Sequence, residues 1–188
     1  LVAGSTWPSD LHVLLPALDA ARRRVPALRI ILAPHEPSPD RVRGLLSELS
    51  GRGWRACSLA EVEAGGAAGV DAVVVDRVGV LASLYTVGEA AYVGGGFHGA
   101  GLHSVLEPAA AGLPVIFGPR HANAPAASEL LAAGGAREVR GAGDLAEALA
   151  SWLGGGVDHD YAAHRALGYI HGHLGAAART AALLDELT

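Results

Sequence analysis

The stretch Ala91–Pro119, AYVGGGFHGAGLHSVLEPAAAGLPVIFGP, decides the fold. It opens on a short apolar run, Ala91 to Val93, and continues into a loop with Gly94, Gly95, Gly96, Gly99 and Gly101. A helical segment follows, then a second apolar run, Val115 to Phe117, closed by Gly118 and Pro119. Strand, glycine loop, helix and strand in that order make a parallel βαβ unit. Glycines between a strand and a helix admit positive φ and let a ligand approach backbone N–H groups. The helix start offers unpaired N–H donors and a positive dipole end, which suit a phosphate. A tight turn with no ligand has the same composition, so the glycines alone leave both readings open.

Outward from this unit, apolar runs alternate with helical periodicity. Strands are predicted at Leu1–Ala3, Leu28–Ala33, Trp54–Cys57, Ala72–Val75 and Ala136–Val139. Helices are predicted over about Asp10–Arg24, with Ser9 as cap and Leu11, Leu14, Leu15, Leu18 and Ala21 as its apolar stripe, and over Pro39–Ser50. Pro16 predicts a kink in the first of them. Further helices are expected at Val80–Gly88, Ala126–Ala133 and Leu145–Leu153, then His159–His173 and Ala176–Leu187, with Glu61–Gly69 as a loop. Strands alternating with helices give a Rossmann-like α/β fold, a parallel sheet of about six strands with helices on both faces, in one domain over residues 1–188. The terminal helices would occupy about residues 158–188. Ligands of such sheets sit at the carboxyl ends of the strands. The polar and glycine-rich segments fall there: Gly4–Thr6, Pro34–Pro37, Asp76–Gly79, Gly94–His103 and Gly118–Asn123.

Composition narrows the function. Half of the 188 residues are apolar, enough for a sizeable core, and aromatics are few. All fourteen basic residues are arginine, the net charge is −5, and there is no long basic run, which argues against nucleic acid. Arg22, Arg23 and Arg24 suit a helix carboxyl end. The single Cys57 excludes an internal disulfide and a CxxC metal motif. No signal peptide and no bilayer-length apolar stretch appears, so a cytoplasmic protein is expected. The chain opens directly in an apolar run, which predicts that it is half of a longer protein.

The chemistry-bearing residues cluster with the glycines. Ser104 and Glu107 fit a capping box, and Glu107 could instead accept hydrogen bonds from two ribose hydroxyls. His98 and His103 flank the loop and can donate to a phosphate there. His35 and Glu36 end another strand, and Arg120 and His121 follow Gly118–Pro119. His159, His164, His171 and His173 are expected on exposed helix faces. No HExxH or comparable spacing is present, so no metal site and no cofactor are expected. There is no GxSxG elbow.

These residues resemble the signature of the 3-deoxy-D-manno-octulosonic acid (Kdo) transferase family. The resemblance is carried by Gly94–Phe97, by Leu102–Ala110 (LHSVLEPAA) and by Gly112–Pro119 (GLPVIFGP), with support from Ala3–Thr6, Ala33–Pro37 and Leu81–Tyr85. It runs from about residue 2 to 140 and matches the carboxyl-terminal half of a GT-B glycosyltransferase. It implies an inverting, metal-independent enzyme that moves Kdo from CMP-Kdo to a lipid A precursor in lipopolysaccharide biosynthesis. Carried over, Gly95, Gly96, His103 and Ser104 would hold the phosphate and Kdo end, Glu107 the ribose, and His35, Gly79 and Asn123 would line the same cleft. The catalytic carboxylate, the acceptor-binding surface and the peripheral membrane contact, at the cytoplasmic face of the inner membrane, would belong to the amino-terminal half. The isolated chain is therefore expected to be inactive as a transferase. Three positions depart from the family pattern: Ser104 stands for a common Asn, Val80 for a common Glu, and Ala124–Pro125 for an aromatic and a lysine. A GT-B relative using a UDP-sugar, as a glycosyltransferase or epimerase, and a non-catalytic nucleotide-binding module are the alternatives.

Overall fold

A computed structural model describes residues 1–66 and 68–175. Among these, seven strands form one sheet: β1 Val2–Thr6, β2 Ile30–Pro34, β3 Ala56–Ser58, β4 Ala72–Val74, β5 Ala91–Val93, β6 Val115–Phe117 and β7 Ala136–Glu138. All pair in parallel, in the order β3-β4-β2-β1-β5-β6-β7. The helices are α1 Pro8–Arg24, α2 Pro39–Gly51, α3 Leu59–Glu63, α4 Leu81–Tyr85, α5 Leu106–Ala110, α6 Pro125–Ala133, α7 Ala142–Leu153 and α8 Val157–His173. None of them is long and apolar enough to cross a membrane. The helix expected over Ala176–Leu187 lies outside the described residues.

The central strands are buried on both faces, so they read as continuous apolar runs instead of alternating ones. Successive side chains still point to opposite layers. Ala3, Tyr92 and Ile116 pack with Leu14 and Leu18 of α1 and Leu145 and Leu149 of α7. Val93, Val115 and Phe117 face the other way, on to Ala109 of α5 and Ala127 and Leu130 of α6. Leu14, Leu18, Leu145 and Leu149 are completely buried, and each such side chain contributes roughly 1.5–3 kcal/mol of transfer free energy.

Several local readings change. All seven strands fall on apolar runs read as strands, so the count of about six is low by one. The first helix starts at Pro8 and runs unbroken past Pro16; its cap is Trp7, not Ser9. Part of the expected Glu61–Gly69 loop is helical: Ser58 and Glu61 close a capping box on α3, which is too short to show periodicity. Ser104 and Glu107 do not form the capping box their spacing suggests; Val105 is the cap of α5 and the Ser104 hydroxyl accepts from the Leu106 N–H at 3.3 Å. His159 is half-buried, its Nε2 donating to the Glu89 carbonyl at 2.7 Å. The stop at Gly134 is as expected: it is left-handed (φ 84°), and Gly135 donates back to the Leu130 carbonyl.

Candidate functional site

The strand order places the switch point between β1 and β5. From β1 the chain moves to β2 on one side, and it returns at β5 on the other. The crevice above the carboxyl ends of these two strands is where ligands bind in open α/β sheets. Trp7 and the start of α1 line it from β1, His35 from β2, and Gly94 to His103 from β5. A hollow of about 320 Å³ between Leu1, Val25, Leu28 and Glu89 lies at the opposite, amino-terminal edge. It gathers none of the polar groups considered above, so the carboxyl edge is the better candidate.

The loop glycines are required first by close backbone packing. A Cβ on Gly94 would stand 2.1 Å from the Ser5 carbonyl oxygen, and one on Gly96 would stand 2.4 Å from the Gly118 nitrogen. Gly95 has φ 95°, and its added Cβ would meet the Gly101 carbonyl oxygen at 2.1 Å. Gly94 thus seats the loop on β1, and Gly96 seats it on the end of β6.

Asp10, in the first turn of α1, is completely buried beneath this loop. Its Oδ2 accepts from the Gly95 N–H at 2.8 Å and the Trp7 N–H at 2.9 Å. Its Oδ1 accepts from the Tyr92 hydroxyl at 3.0 Å and the Phe97 N–H at 3.3 Å. The Gly95 amide, expected to face a phosphate, is therefore already engaged by a carboxylate of the chain itself.

Above Asp10 lies a cluster of rings. Trp7 stacks on His98 with centroids 3.9 Å apart, and on His35 at 4.2 Å. Its indole N–H donates to His103 Nε2 at 3.1 Å, and His35 and His103 are 4.6 Å apart. Nε2 of His103 is thus an acceptor, which places the proton of the neutral ring on Nδ1. Burial, seconded by His35 and more weakly by His98, pushes the His103 imidazole below its usual value, with Asp10 opposing. His98 accepts the Ala100 N–H on Nδ1 at 3.1 Å, so its neutral ring carries the proton on Nε2. Three imidazoles on one indole can offer N–H donors, and on protonation positive charge, to an anion.

The remaining expected residues divide. Glu107 is exposed in the first turn of α5, outside any cap, and Ser104 is exposed beside it. The exposed Asn123 clamps Leu102 with its side chain, accepting from the N–H at 3.0 Å and donating to the carbonyl at 2.9 Å. Gly79 (φ 84°) lies exposed in the turn after β4, the strand beside β2. Of the neighbours of the site, His121 is spoken for by Glu138 at 3.0 Å and Ser128 at 3.2 Å. Gly95, Gly96, His35 and His103 are thus brought together, Ser104, Glu107 and Asn123 flank them, and Gly79 follows the next strand outward, β4. Trp7 and Asp10 are the residues that sequence reasoning missed. Asp10 does leave a signal, because it lies on the same stripe as Leu14, Leu18 and Ala21, where an apolar residue is expected. Among the described residues, no group of three or more His, Cys, Asp or Glu side chains is arranged to hold a metal ion.

Comparison with known proteins gives these features a context. No protein-family model matches the chain. The 3-deoxy-D-manno-octulosonic acid transferase of Aquifex aeolicus is 32% identical over 119 residues, which cover 63% of this chain and 31% of that protein. The transferase of the same name from Chlamydophila psittaci is 36% identical over 124 residues, 63% of this chain and 26% of the relative. The chain thus spans under a third of the length of these curated relatives. In fold it is similar to the C-terminal CMP-Kdo binding domain of WaaA from Acinetobacter baumannii, with a TM-score of 0.77 at 19% identity, covering 90% of this chain and 87% of that domain.

Proposed function

We propose, from the chain's kinship with the Kdo transferases, that it is the donor-binding half of such an enzyme. It would hold CMP-Kdo in the crevice between β1 and β5 while Kdo passes to a lipid A precursor. The observation that carries this reading is the gathering of separate sequence stretches. Ala3–Thr6, Ala33–Pro37, Leu81–Tyr85, Gly94–Phe97, Leu102–Ala110 and Gly112–Pro119 are spread over more than half of the chain. They include the carboxyl ends of β1 and β2, the loop after β5, the strand β6 with its flanks, and the two short helices α4 and α5. The parts that follow β1, β2 and β5 carry the ring cluster and the glycine loop, at the edge where ligands of open α/β sheets bind.

In this reading Glu107 accepts the two ribose hydroxyls. His35, His98 and His103, with Ser104 beside them, meet the phosphate and the sugar-acid carboxylate. Gly95, Gly96 and Asn123 shape the floor and wall that present these groups, and Gly79 forms an outer rim. As the bond to Kdo breaks, negative charge grows on the departing CMP phosphate, and preorganised imidazole N–H donors stabilise it. The acceptor site and the catalytic carboxylate belong to an amino-terminal domain outside residues 1–188, which acts at the cytoplasmic face of the inner membrane. The present chain is one domain and has no transferase activity alone.

Calorimetric titration of the chain with CMP, UMP and UDP, repeated on Glu107→Ala, tests the reading. Preference for CMP, weakened at least tenfold in the variant, is the expected result. Preference for UDP would keep the fold and remove Kdo as the sugar carried. A folded chain that binds neither CMP nor CMP-Kdo would remove the donor-site reading.

A further inference from the structure

We propose that Asp10 is a positioning residue of the crevice: its buried carboxylate occupies the loop amides that an anionic ligand would otherwise take, fixes the loop, and turns the ligand's anions toward the imidazoles. This inference rests on the donor-site reading above.

The hydrogen bonds of Asp10 are those of a loop anchor more than of a helix cap. A cap needs only the bond from Trp7, three residues before it. The other three come from residues 82, 85 and 87 positions along the chain, on β5 and the glycine loop. All four donors are neutral. A buried carboxylate loses its hydration and needs full compensation. Here four hydrogen bonds and the amino end of a 17-residue helix supply it. The bonds to Gly95 and Phe97 bracket Gly96, the residue that touches the end of β6, and Phe97 leads directly into His98. One side chain thus sets where the loop sits on the sheet and where its first imidazole points.

The same placement gives the crevice its electrostatic direction. A phosphate aimed at the Gly95 amide would lie against a full negative charge with no free donor left for it. The groups that meet Asp10 from other elements are the Tyr92 hydroxyl on β5, the Gly95 and Phe97 amides of the loop and, through its charge, His103. Asp10 also favours the protonated form of His103, against burial and against the neighbouring imidazoles. Protonation of the imidazoles thus adds positive charge on their side of the crevice.

Asp10→Asn keeps the shape of the side chain and removes one acceptor. The Tyr92 hydroxyl can reverse and accept from the new amide, whereas the Phe97 N–H cannot, so Phe97 loses its partner. The test combines amide hydrogen exchange, imidazole titration by NMR and CMP calorimetry on wild type, Asp10→Asn and Tyr92→Phe. Expected in Asp10→Asn are faster exchange at Phe97, a lower titration midpoint for His103, and CMP affinity reduced about tenfold. Tyr92→Phe loses one bond to Asp10 but leaves both loop amides held, so affinity stays within twofold and the His103 midpoint does not move. Loss of affinity in step with thermal stability in both variants would overturn the proposal, as would wild-type affinity in Asp10→Asn. Should Asp10→Asn not fold, the wild-type protein decides: Gly95 and Phe97 amides exchanging as fast as the exposed Gly99 amide would overturn it. A wild-type chain that binds no CMP refutes the donor-site reading instead, and the Phe97 exchange and His103 midpoint still decide the role of Asp10.

Discussion

Replacing Gly96 by alanine puts a methyl carbon 2.4 Å from the Gly118 nitrogen, 2.6 Å from its Cα and 2.9 Å from its carbonyl carbon. All three are backbone atoms, so no flexible side chain can swing away. Ordinary contact lies near 3.5 Å, which leaves a deficit of roughly 1 Å at the nearest atom. Relief requires the end of β6 to move away from the loop. That strand is completely buried and pairs with both β5 and β7. Overpacking of this kind costs about 1–3 kcal/mol and occasionally more, and the backbone contact places Gly96→Ala at the upper end, about 3 kcal/mol. For a chain of this length that lowers Tm by about 6–12 °C. Gly99 is the internal control: it is exposed and nothing lies within 4 Å of an added Cβ. Gly99→Ala should stay within about 0.5 kcal/mol of wild type. Thermal unfolding followed by circular dichroism measures both. A glycine kept only for ligand approach would give Gly96→Ala an unchanged Tm and a lost affinity. An unchanged Tm would therefore refute the packing account of the loop.

Glu107→Ala should leave Tm within about 1 °C, because the side chain is exposed and caps nothing, and should weaken CMP at least tenfold in calorimetry. His103 has its folded-state value depressed, so the unfolded chain binds the proton more readily. Its linkage term is absent well above the ordinary histidine value of about 6.5 and destabilises as pH falls through it, levelling off below the folded value. Denaturant titrations between pH 8 and 5 should show that slope, and His103→Gln should reduce it. Asp71 is buried and held at about 2 by hydrogen bonds from Arg55 at 2.8 Å each, against the cost of burial, with the Arg55 and Arg29 charges assisting. Its contribution is complete above the ordinary carboxylate value of about 3.9 and is lost as pH falls through about 2. Acid titration of Asp71→Asn should therefore lack part of the stability loss between pH 4 and 2.

Much of the architecture was legible because the signals that carry it are short-range. Apolar runs such as Val115–Phe117 gave the buried strands, and Gly134–Gly135 gave a helix stop. The misreadings share a cause. Ser9 looked like a cap because serine caps helices well, but Pro8 fits the first helical turn, where its missing N–H costs nothing, and this moves the start forward. Ser104 and Glu107 have the spacing of a capping box, yet Pro108 follows them and the helix is a single turn, so the reciprocal bonds never form. In both places a neighbouring proline decides between two local preferences of similar size.

The site was legible as a set of residue types and not as a set of contacts. His35 and His103 were expected near one another because both follow strands of a parallel sheet, and the topology alone brings those loops to one edge. Trp7 carries no local signal of its role, because an indole after a strand is equally at home in the core. In the fold it is the surface on which His35 and His98 stack and the donor that fixes the His103 tautomer. Asp10 could have been singled out by one argument. A carboxylate on the apolar stripe of α1 must be buried, and a buried carboxylate must find donors. Its own helix can offer little beyond the amides of the first turn. The glycine loop is a dense source of N–H groups that leaves no side chains in the way, so a charge on the wrong face of the first helix is consistent with the bond to the loop 85 residues away.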